Sequence, residues 1–258
     1  MKLSLVLTTF NSAGNLRITL ASVEKQDYPD IEVIIKDGGS TDETLQVAQS
    51  YADSSKYEVK IKTCPDKGIY DAMNQGISMC SGDVIACFND EFTMSDSVSL
   101  MMKLIEDDPG CAGAHADLVY ATRTKVKRYW HMGEQKSLFA GWMPGHPTLF
   151  LKRQIYEKYG LYKTDYKISA DYEFMIRFLS DKKAANRLVY LPKIIIAMFY
   201  GGTSTDSAGS YMDSLKEGHR ALIENHVHPA IVADVLRTMR VLLQFNARCP
   251  KDFVWPIE

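Results

Sequence analysis

Three polar side chains, Asn89, Asp90 and Glu91, directly follow a short apolar segment of the 258-residue sequence. The segment, residues 84–88, has the length and turn-bounded pattern of a strand that is covered on both faces. Ligands of open α/β sheets bind just beyond the carboxyl ends of such strands. Carboxylate and amide oxygens are also the ligands that Mg²⁺ and Mn²⁺ prefer. The tripeptide therefore predicts either a divalent metal site or an acidic, solvated loop.

Two further carboxylates occur together in the sequence Ala170-Asp171-Tyr172-Glu173. Ser169 is a typical N-cap residue, so Asp171 and Glu173 are expected in the first turn of a helix, where the helix dipole favours negative charge. Both side chains could therefore serve only to stabilise that helix.

Alternating strands and helices are expected to position these side chains. Apolar segments predict strands over 3–7, 31–36, 57–62 and 84–88, the third of them near an edge, and helical patterns lie between them. Ser40 and Glu43 form a capping-box pattern, which predicts that the second helix begins at Ser40. The alternation indicates an α/β fold with a mostly parallel sheet flanked by helices.

Polar residues follow three of the predicted strands, at 8–11, 37–40 and 89–91. Carboxyl ends of parallel strands meet at one edge of a sheet, and loops from several strands form a crevice that suits a nucleotide. Neither a P-loop nor a G-x-G-x-x-G motif is present. We therefore expect a nucleotide site that does not use either of those phosphate-binding loops.

The second half of the chain predicts a hairpin over 117–122 and 124–130, a late strand over 188–199 and a flexible loop at 201–205. The last residues are helical in pattern and carry one apolar face, made by Ile231, Val232, Val235, Leu236, Met239, Leu242 and Leu243. We favour packing of this face on the domain or on a second subunit, as in a homodimer. The alternative is peripheral contact with an anionic membrane, aided by Arg237, Arg240 and Arg248.

Composition excludes several classes of protein. Thirty basic and 32 acidic residues give a net charge of −2, which argues against a nucleic-acid binder that works by broad phosphate neutralisation. The five cysteines form no CxxC pair, so reduced thiols are expected rather than disulfides or a zinc site. We see no signal peptide, and no apolar stretch approaches the ~18 residues of a membrane span. A cytoplasmic protein is expected.

Five stretches, taken in order, resemble the motifs of family 2 glycosyltransferases with the GT-A fold. They are Thr8-Thr9-Phe10-Asn11, Asp37-Gly38-Gly39-Ser40-Thr41-Asp42, residues 66–76, Gly82-Asp83 with Asn89-Asp90-Glu91, and Ala170-Asp171-Tyr172-Glu173. The resemblance implies a glycosyltransferase of bacterial surface polysaccharide assembly. It would move a sugar, with inversion, from a nucleotide-sugar (in the simplest case UDP-linked) to a hydroxyl of a saccharide or lipid-linked saccharide.

The resemblance also implies an organisation of the chain and roles for individual residues. Residues 1–205 would form the transferase domain, with a nucleotide-binding half over 1–92 and an acceptor-binding half over 93–205, and residues 206–258 would form a helical extension. Asp171 would be the catalytic base, and His146 and Glu173 would contact the acceptor. The donor would be held by Thr8, Phe10, Asn11, Asp37, Asp66, Lys67, Asn74, Asn89 and Asp90, with Asp37 accepting the imide N–H of the base and Lys67 contacting phosphate.

The metal motif departs from the family pattern, which ends Asn-x-Asp-Asp. Glu91 stands at the place of the principal ligand for Mn²⁺ or Mg²⁺, and Phe92 replaces the next acid. A glutamate is one methylene longer than an aspartate, so Asp90 could ligate the metal instead if the loop is shifted by one residue. An alternative function follows from this departure: a nucleotide-sugar binding module that has lost catalysis.

Overall fold

The computed structural model describes residues 1–122, 125–181, 186–199, 208–246, 249 and 253. The strands are β1 (Leu3–Thr9), β2 (Ile31–Asp37), β3 (Glu58–Thr63), β4 (Val84–Cys87), β5 (Glu91–Phe92), β6 (Gly113–Thr122), β7 (Lys125–Trp130), β8 (Phe150–Lys152) and β9 (Leu188–Phe199). The helices are α1 (Ala13–Glu24), α2 (Thr44–Ser54), α3 (Ile69–Ile77), α4 (Ser97–Asp107), α5 (Arg153–Tyr159), α6 (Ala170–Leu179), α7 (Ala208–Glu224) and α8 (Ala230–Asn246).

The strands form one sheet in the order β3-β2-β1-β4-β8-β6-β9-β5, with β7 paired to β6. Of the nine strands in the described residues, six run in one direction, and β5, β7 and β8 run against them. The expected mostly parallel α/β fold is thus confirmed. The carboxyl ends of β1, β2, β3 and β4 meet at one edge, which we call the ligand edge.

Two apolar cores cover the two faces of the sheet, because successive residues of a strand point to opposite faces. Leu5 of β1 belongs to the core that includes side chains of α1, α2 and α4. Val6 belongs to the other core, which includes side chains of α3, α5, α6, α7 and α8. Each fully buried aliphatic side chain contributes about 1.5–3 kcal/mol to folding. These two layers fix the ligand edge rigidly between them.

Local differences from the predicted elements have identifiable causes. Helix α2 begins at Thr44 rather than Ser40, because the Ser40 hydroxyl donates to Asp37 and accepts from the backbone N–H of Asn11 instead of capping the helix. Helix α3 ends at Ile77. The hairpin of β6 and β7, the edge position of β3 and the late strand β9 agree with prediction. The loop expected at 201–205 lies outside the described residues.

Beyond residue 205 the described chain forms helices α7 and α8, and the domain boundary placed there stays a prediction. The expected packing of the apolar face of α8 on the domain is wrong. Six of its seven members are exposed, from 40% for Val232 to 70% for Ile231. Arg248 lies outside the described residues. Among those residues, we find no helix with the length and apolar character needed to span a membrane.

Candidate active site

Asp37, at the end of β2, shapes the first turn of the ligand edge. Its fully buried carboxylate accepts the backbone N–H groups of Gly39 (2.8 Å) and Ser40 (2.9 Å) and the Ser40 hydroxyl. Asn11, at φ 45°, accepts the N–H of Thr41 at 2.8 Å and so ties the β1 loop to the same turn. Asp37 therefore fixes the turn, and its contact with a nucleotide base stays a prediction.

Phe10 and Asp66 meet across Gly38. A Cβ atom placed on Gly38 would lie 2.9 Å from Asp66 Oδ2 and 3.3 Å from Phe10 Cδ2, so only glycine fits between them. The Phe10 ring is 63% exposed although it lies among buried strand ends. An open aromatic face beside a carboxylate is suited to stack on a base or ribose and to accept its polar hydrogens.

A buried lysine holds Asp66 in place. Lys36, which has no exposed surface, donates to the carbonyls of Asp37 (2.8 Å) and Cys64 (2.7 Å) and to Asp66 Oδ2 (3.0 Å). Sequence reasoning missed Lys36, although a lysine inside a strand that is predicted to be buried was the signal that could have found it. Lys67 is exposed beside this turn, and its proposed phosphate contact stays a prediction.

Asn89 joins the end of β4 to β1. Its side chain accepts the backbone N–H of Thr8 at 2.8 Å and donates to the Thr8 hydroxyl at 2.9 Å. The Asn89 carbonyl accepts the hydroxyl of Thr19 from helix α1. The predicted donor residues Thr8 and Asn89 are thus brought together, and their mutual hydrogen bonds fix the backbone immediately before Asp90.

The two candidate metal ligands have different surroundings. Asp90 is half-buried and accepts no hydrogen bond from the described residues, and burial raises its pKa to about 7. Burial also raises the pKa of Glu91, while the positive charge of Lys25 opposes that rise. Glu91 is the first residue of β5 and pairs in the sheet with Ala197, whereas Asp90 lies just before that strand. The choice between the two as the metal ligand stays a prediction.

Tyr120, near the end of β6, is influenced by the charges of both Asp90 and Asp171. Burial raises the pKa of the Tyr120 hydroxyl, the guanidinium of Arg128 opposes the rise, and the negative charges of Asp90 and Asp171 add to it. Arg128 lies over the Tyr120 ring, 4.5 Å from its centroid. We call the space between the two aspartates the cleft. Both carboxylates therefore lie close enough to Tyr120 for their charges to influence it, and their roles in one site stay a prediction.

Asp90 fits the role of a cation ligand, because a poorly solvated carboxylate without a hydrogen-bond donor is stabilised by a bound cation. The described residues contain no cluster of three or more His, Cys, Asp or Glu side chains that could hold a metal by themselves. Mg²⁺ is commonly held by one or two carboxylates together with water and substrate phosphates. The residues present suit a cation whose other ligands are water and substrate phosphates. They do not suit a site in which the protein supplies every ligand.

Asp171 lies in the first turn of α6, as predicted, and Tyr70 of α3 reaches it from the nucleotide half. The Tyr70 hydroxyl lies 3.0 Å from Asp171 Oδ1 and 2.5 Å from the carbonyl oxygen of Ile168. From the other side, the Glu217 carboxylate of α7 accepts the backbone N–H groups of residues 167–169 at 2.8–2.9 Å. Sequence reasoning missed both supports. Tyr70 occurs within a quoted motif, whereas Glu217 gave no signal.

Asn74 connects α3 to the acceptor half. Its amide donates to the carbonyl of Tyr162 at 2.8 Å and accepts the N–H of Tyr162 at 3.0 Å. The Tyr162 hydroxyl in turn lies 2.8 Å from His146 Nε2. Burial lowers the pKa of His146, opposed by the charge of Asp171, so the imidazole is neutral at neutral pH. The donor role of Asn74 and the acceptor role of His146 stay predictions.

Glu173 lies away from the cleft surface. Its fully buried carboxylate pairs with Lys163 at 3.0 Å and Arg177 at 2.9 Å, and the side-chain amide of Asn225 donates to it at 3.3 Å. Buried carboxylates need such partners to offset the loss of hydration. This environment gives Glu173 a structural role, and we assign no acceptor contact to it.

Known proteins share both the sequence and the fold of this chain. It is 29% identical over 209 residues to a "PGL/p-HBAD biosynthesis glycosyltransferase" of Mycobacterium bovis, covering 78% of each chain. The structure of Staphylococcus aureus TarS 1–349 with UDP-GlcNAc superposes with a TM-score of 0.69 at 17% identity, covering 93% of this chain and 72% of that one.

A second solved structure, the mannosyltransferase PcManGT of Pyrobaculum calidifontis in complex with GDP-Man and Mn²⁺, gives a TM-score of 0.64 at 15% identity, covering 96% of this chain and 76% of that one. These likenesses show the GT-A fold. Residues 4–178 match the family described as "Glycosyl transferase family 2". The matched region contains both aspartates of the cleft and every predicted donor residue. The chain belongs to glycosyl transferase family 2 and is a glycosyltransferase.

Proposed function

We propose that this enzyme transfers a hexosyl or N-acetylhexosaminyl group from a UDP-linked donor to a hydroxyl of a saccharide or lipid-linked saccharide, in surface polysaccharide biosynthesis. The observation that carries the proposal is that the Tyr70 hydroxyl, on the helix that follows the Asp66 turn, lies 3.0 Å from Asp171 Oδ1, so the candidate base adjoins the predicted donor loops. The donors held by TarS and PcManGT support a nucleotide-sugar substrate. We place the reaction in the cytoplasm, at the inner face of the membrane when the acceptor is lipid-linked.

The chemistry is a single displacement at the anomeric carbon. Asp171 accepts the proton of the acceptor hydroxyl as its oxygen bonds to that carbon, and the bond to the diphosphate oxygen breaks with its electron pair remaining on the diphosphate. Attack from the face opposite the leaving group inverts the configuration. The contacts of Asp171 with Tyr70, and of the preceding backbone with Glu217, hold the base in place before the substrate arrives.

The donor is held by the loops of the ligand edge. Phe10 stacks on the nucleoside, and Thr8 and Asn11 border it. Asp37 stabilises the turn that binds the imide N–H of the base. Asp66 and Asn74 line the sugar side, and Lys67 approaches the phosphates. Asp90, with Glu91 as a second oxygen donor and Asn89 fixing the loop, would hold Mn²⁺ or Mg²⁺. When bound, that cation would neutralise charge that develops on the leaving diphosphate. His146 borders the acceptor.

The test is a donor screen followed by matched variants. We expect hydrolysis or transfer from a UDP-sugar in the presence of Mn²⁺ or Mg²⁺. Asp171→Asn should lower turnover by at least 10³-fold, in keeping with loss of a general base, while UDP binding measured by calorimetry stays nearly unchanged. Asp90→Ala should weaken metal-dependent UDP binding more than Glu91→Gln does.

Three results would count against the proposal. Retained turnover in Asp171→Asn would remove the assigned base. An effect of Glu91→Gln that exceeds that of Asp90→Ala would move the metal ligand to Glu91. UDP binding that is independent of metal, without hydrolysis of any donor by the wild-type chain, would favour the binding module that has lost catalysis.

A further inference from the structure

Helix α8 directs its charged side chains towards the protein and most of its large apolar side chains outward. Its three charged side chains all contact the protein: Asp234 lies 2.6 Å from His219 Nδ1, Arg237 lies over the Tyr172 ring at 4.3 Å, and Arg240 donates to the carbonyl of Ala140 at 2.9 Å. Gln244 is buried and accepts from Arg128. Helices on the surface of a monomer show the reverse pattern.

The outward face is apolar along the described length of the helix. It consists of Ile231, Val232, Val235, Met239, Leu242 and Leu243. Each leaves on the order of 100 Å² exposed, so α8 alone offers roughly 600 Å², close to the ~800 Å² that one partner contributes to a standard protein–protein interface. Contiguous apolar patches of this size mark interaction sites. We call this surface the α8 face.

The spacing of its residues identifies another helix as the occupant. Val232, Val235, Met239 and Leu242 follow one another at intervals of three, four and three residues, which is the apolar repeat by which two helices pack side chains between each other. A groove of about 360 Å³ between α7 and α8, lined by Leu215, Asp234, Val235, Thr238 and Met239, adds room beside this seam for side chains of the second helix.

A lipid surface suits the α8 face poorly. Helices that lie on anionic membranes carry Lys and Arg beside the apolar face, where they reach the headgroups. Both arginines of the described α8 are instead engaged with the protein. A face without charge is also self-complementary, because two copies related by a twofold axis bring no like charges together.

We propose that two copies of this chain form a homodimer through the α8 face. The anchoring of α8 by Arg237 against Tyr172 and Gly218 presents the face as a rigid surface, so dimerisation needs no rearrangement of the protomer. The proposal is independent of the sugar, the acceptor and the metal.

Sedimentation equilibrium of the full chain at micromolar concentration tests the proposal. We expect a species of twice 29.1 kDa for the wild type and a monomer for the double variant Val235→Glu with Leu242→Glu, since the new charges would oppose each other across the twofold axis. Both positions are more than half exposed, so the circular dichroism spectrum and the Tm should stay unchanged. Leu161→Glu, on an exposed leucine outside α7 and α8, is the matched control and should remain dimeric.

A monomeric wild type would overturn the proposal, as would a double variant that remains dimeric. Flotation with vesicles that contain phosphatidylglycerol provides the second measurement. Binding of the wild type to these vesicles that is lost in the double variant would assign the α8 face to the membrane and would also overturn the proposal. Dimeric wild type that stays off the vesicles supports it.

Discussion

Tyr70 is the single residue that most directly connects donor binding to the candidate base. It projects from α3, which follows the Asp66 turn, and its hydroxyl reaches both the Ile168 carbonyl and Asp171. Burial raises the pKa of this phenol far above neutrality, so it remains a neutral hydrogen-bond donor. Hydrogen bonds to charged groups contribute more than those between neutral groups. Tyr70 therefore positions the carboxylate without taking part in proton transfer.

Tyr70→Phe should lower kcat by roughly 10–100-fold, because a hydrogen bond to a charged group contributes about 1.5–3 kcal/mol. The affinity for UDP should change little. Tyr156→Phe is the matched control, since it removes a buried hydroxyl that contacts Tyr162 rather than Asp171. Steady-state kinetics and UDP calorimetry on both variants provide the comparison. Equal losses of kcat in the two variants would assign Tyr70 a merely structural role.

At the scale of elements, α7 supports the site although it lies beyond the region that matches the family. Glu217 places a carboxylate just before the N-terminal end of α6, where it accepts the backbone N–H groups of residues 167–169. Negative charge at that end is also favoured by the helix dipole. Helix α7 therefore completes the cap before α6, which the region that matches the family does not complete by itself.

Glu217→Ala should lower the free energy of unfolding by about 1–3 kcal/mol, since partly buried donors lose a charged acceptor. It should also lower kcat, because the segment that ends at Asp171 loses its anchor. Lys216→Ala alters the neighbouring exposed side chain and should change neither quantity. Urea denaturation and turnover of the two variants check this prediction. An unchanged stability of Glu217→Ala would exclude the capping role.

The sequence alone predicted much of the fold and part of the candidate site. Strands and helices followed from apolar spacing, because burial on one or both faces imposes a period on the chain. The ligand edge followed from polar residues at strand ends, and Asp171 from a cap pattern. Glu217 could not be found, since it lies about 50 residues from the groups it caps. The sequence also left open whether the α8 face packs on the domain or points outward, because periodicity identifies an apolar face but not the side that it presents to the protein.

At the scale of the whole molecule, His115 links stability to pH. The ring has no exposed surface, lies between Trp142 and Tyr190, and neither of its nitrogens has a hydrogen-bond partner among the described residues. Burial lowers its pKa to about 4, with the charge of Asp117 opposing the fall. An unfolded chain binds a proton at this histidine near pH 6.5, whereas the folded chain does so only near pH 4. The stability that this buried neutral ring contributes is therefore fully present above pH 6.5 and is lost as the pH falls towards 4.

The free energy of unfolding of the wild type should thus fall by on the order of 3 kcal/mol from this group between pH 6.5 and 4. His115→Phe should be at least as stable as the wild type at pH 7, because an apolar ring of similar shape replaces two unpaired polar atoms. Its stability should decline less over the same range. Urea titrations at several pH values measure both slopes, and parallel slopes would contradict the assignment.

The contacts that α3 makes affect how related enzymes can differ in the acceptors that they use. Asn74 bonds only to backbone atoms of Tyr162, and the closest contact of Tyr70 is to a backbone carbonyl. Apart from the contact of Tyr70 with Asp171, these hydrogen bonds from α3 thus depend on the backbone path of residues 162–168 and not on their side chains. Side chains of that segment can therefore diversify without loss of these bonds. A chimaera that combines residues 1–92 of this chain with the rest of a relative should retain these hydrogen bonds wherever the backbone path is kept.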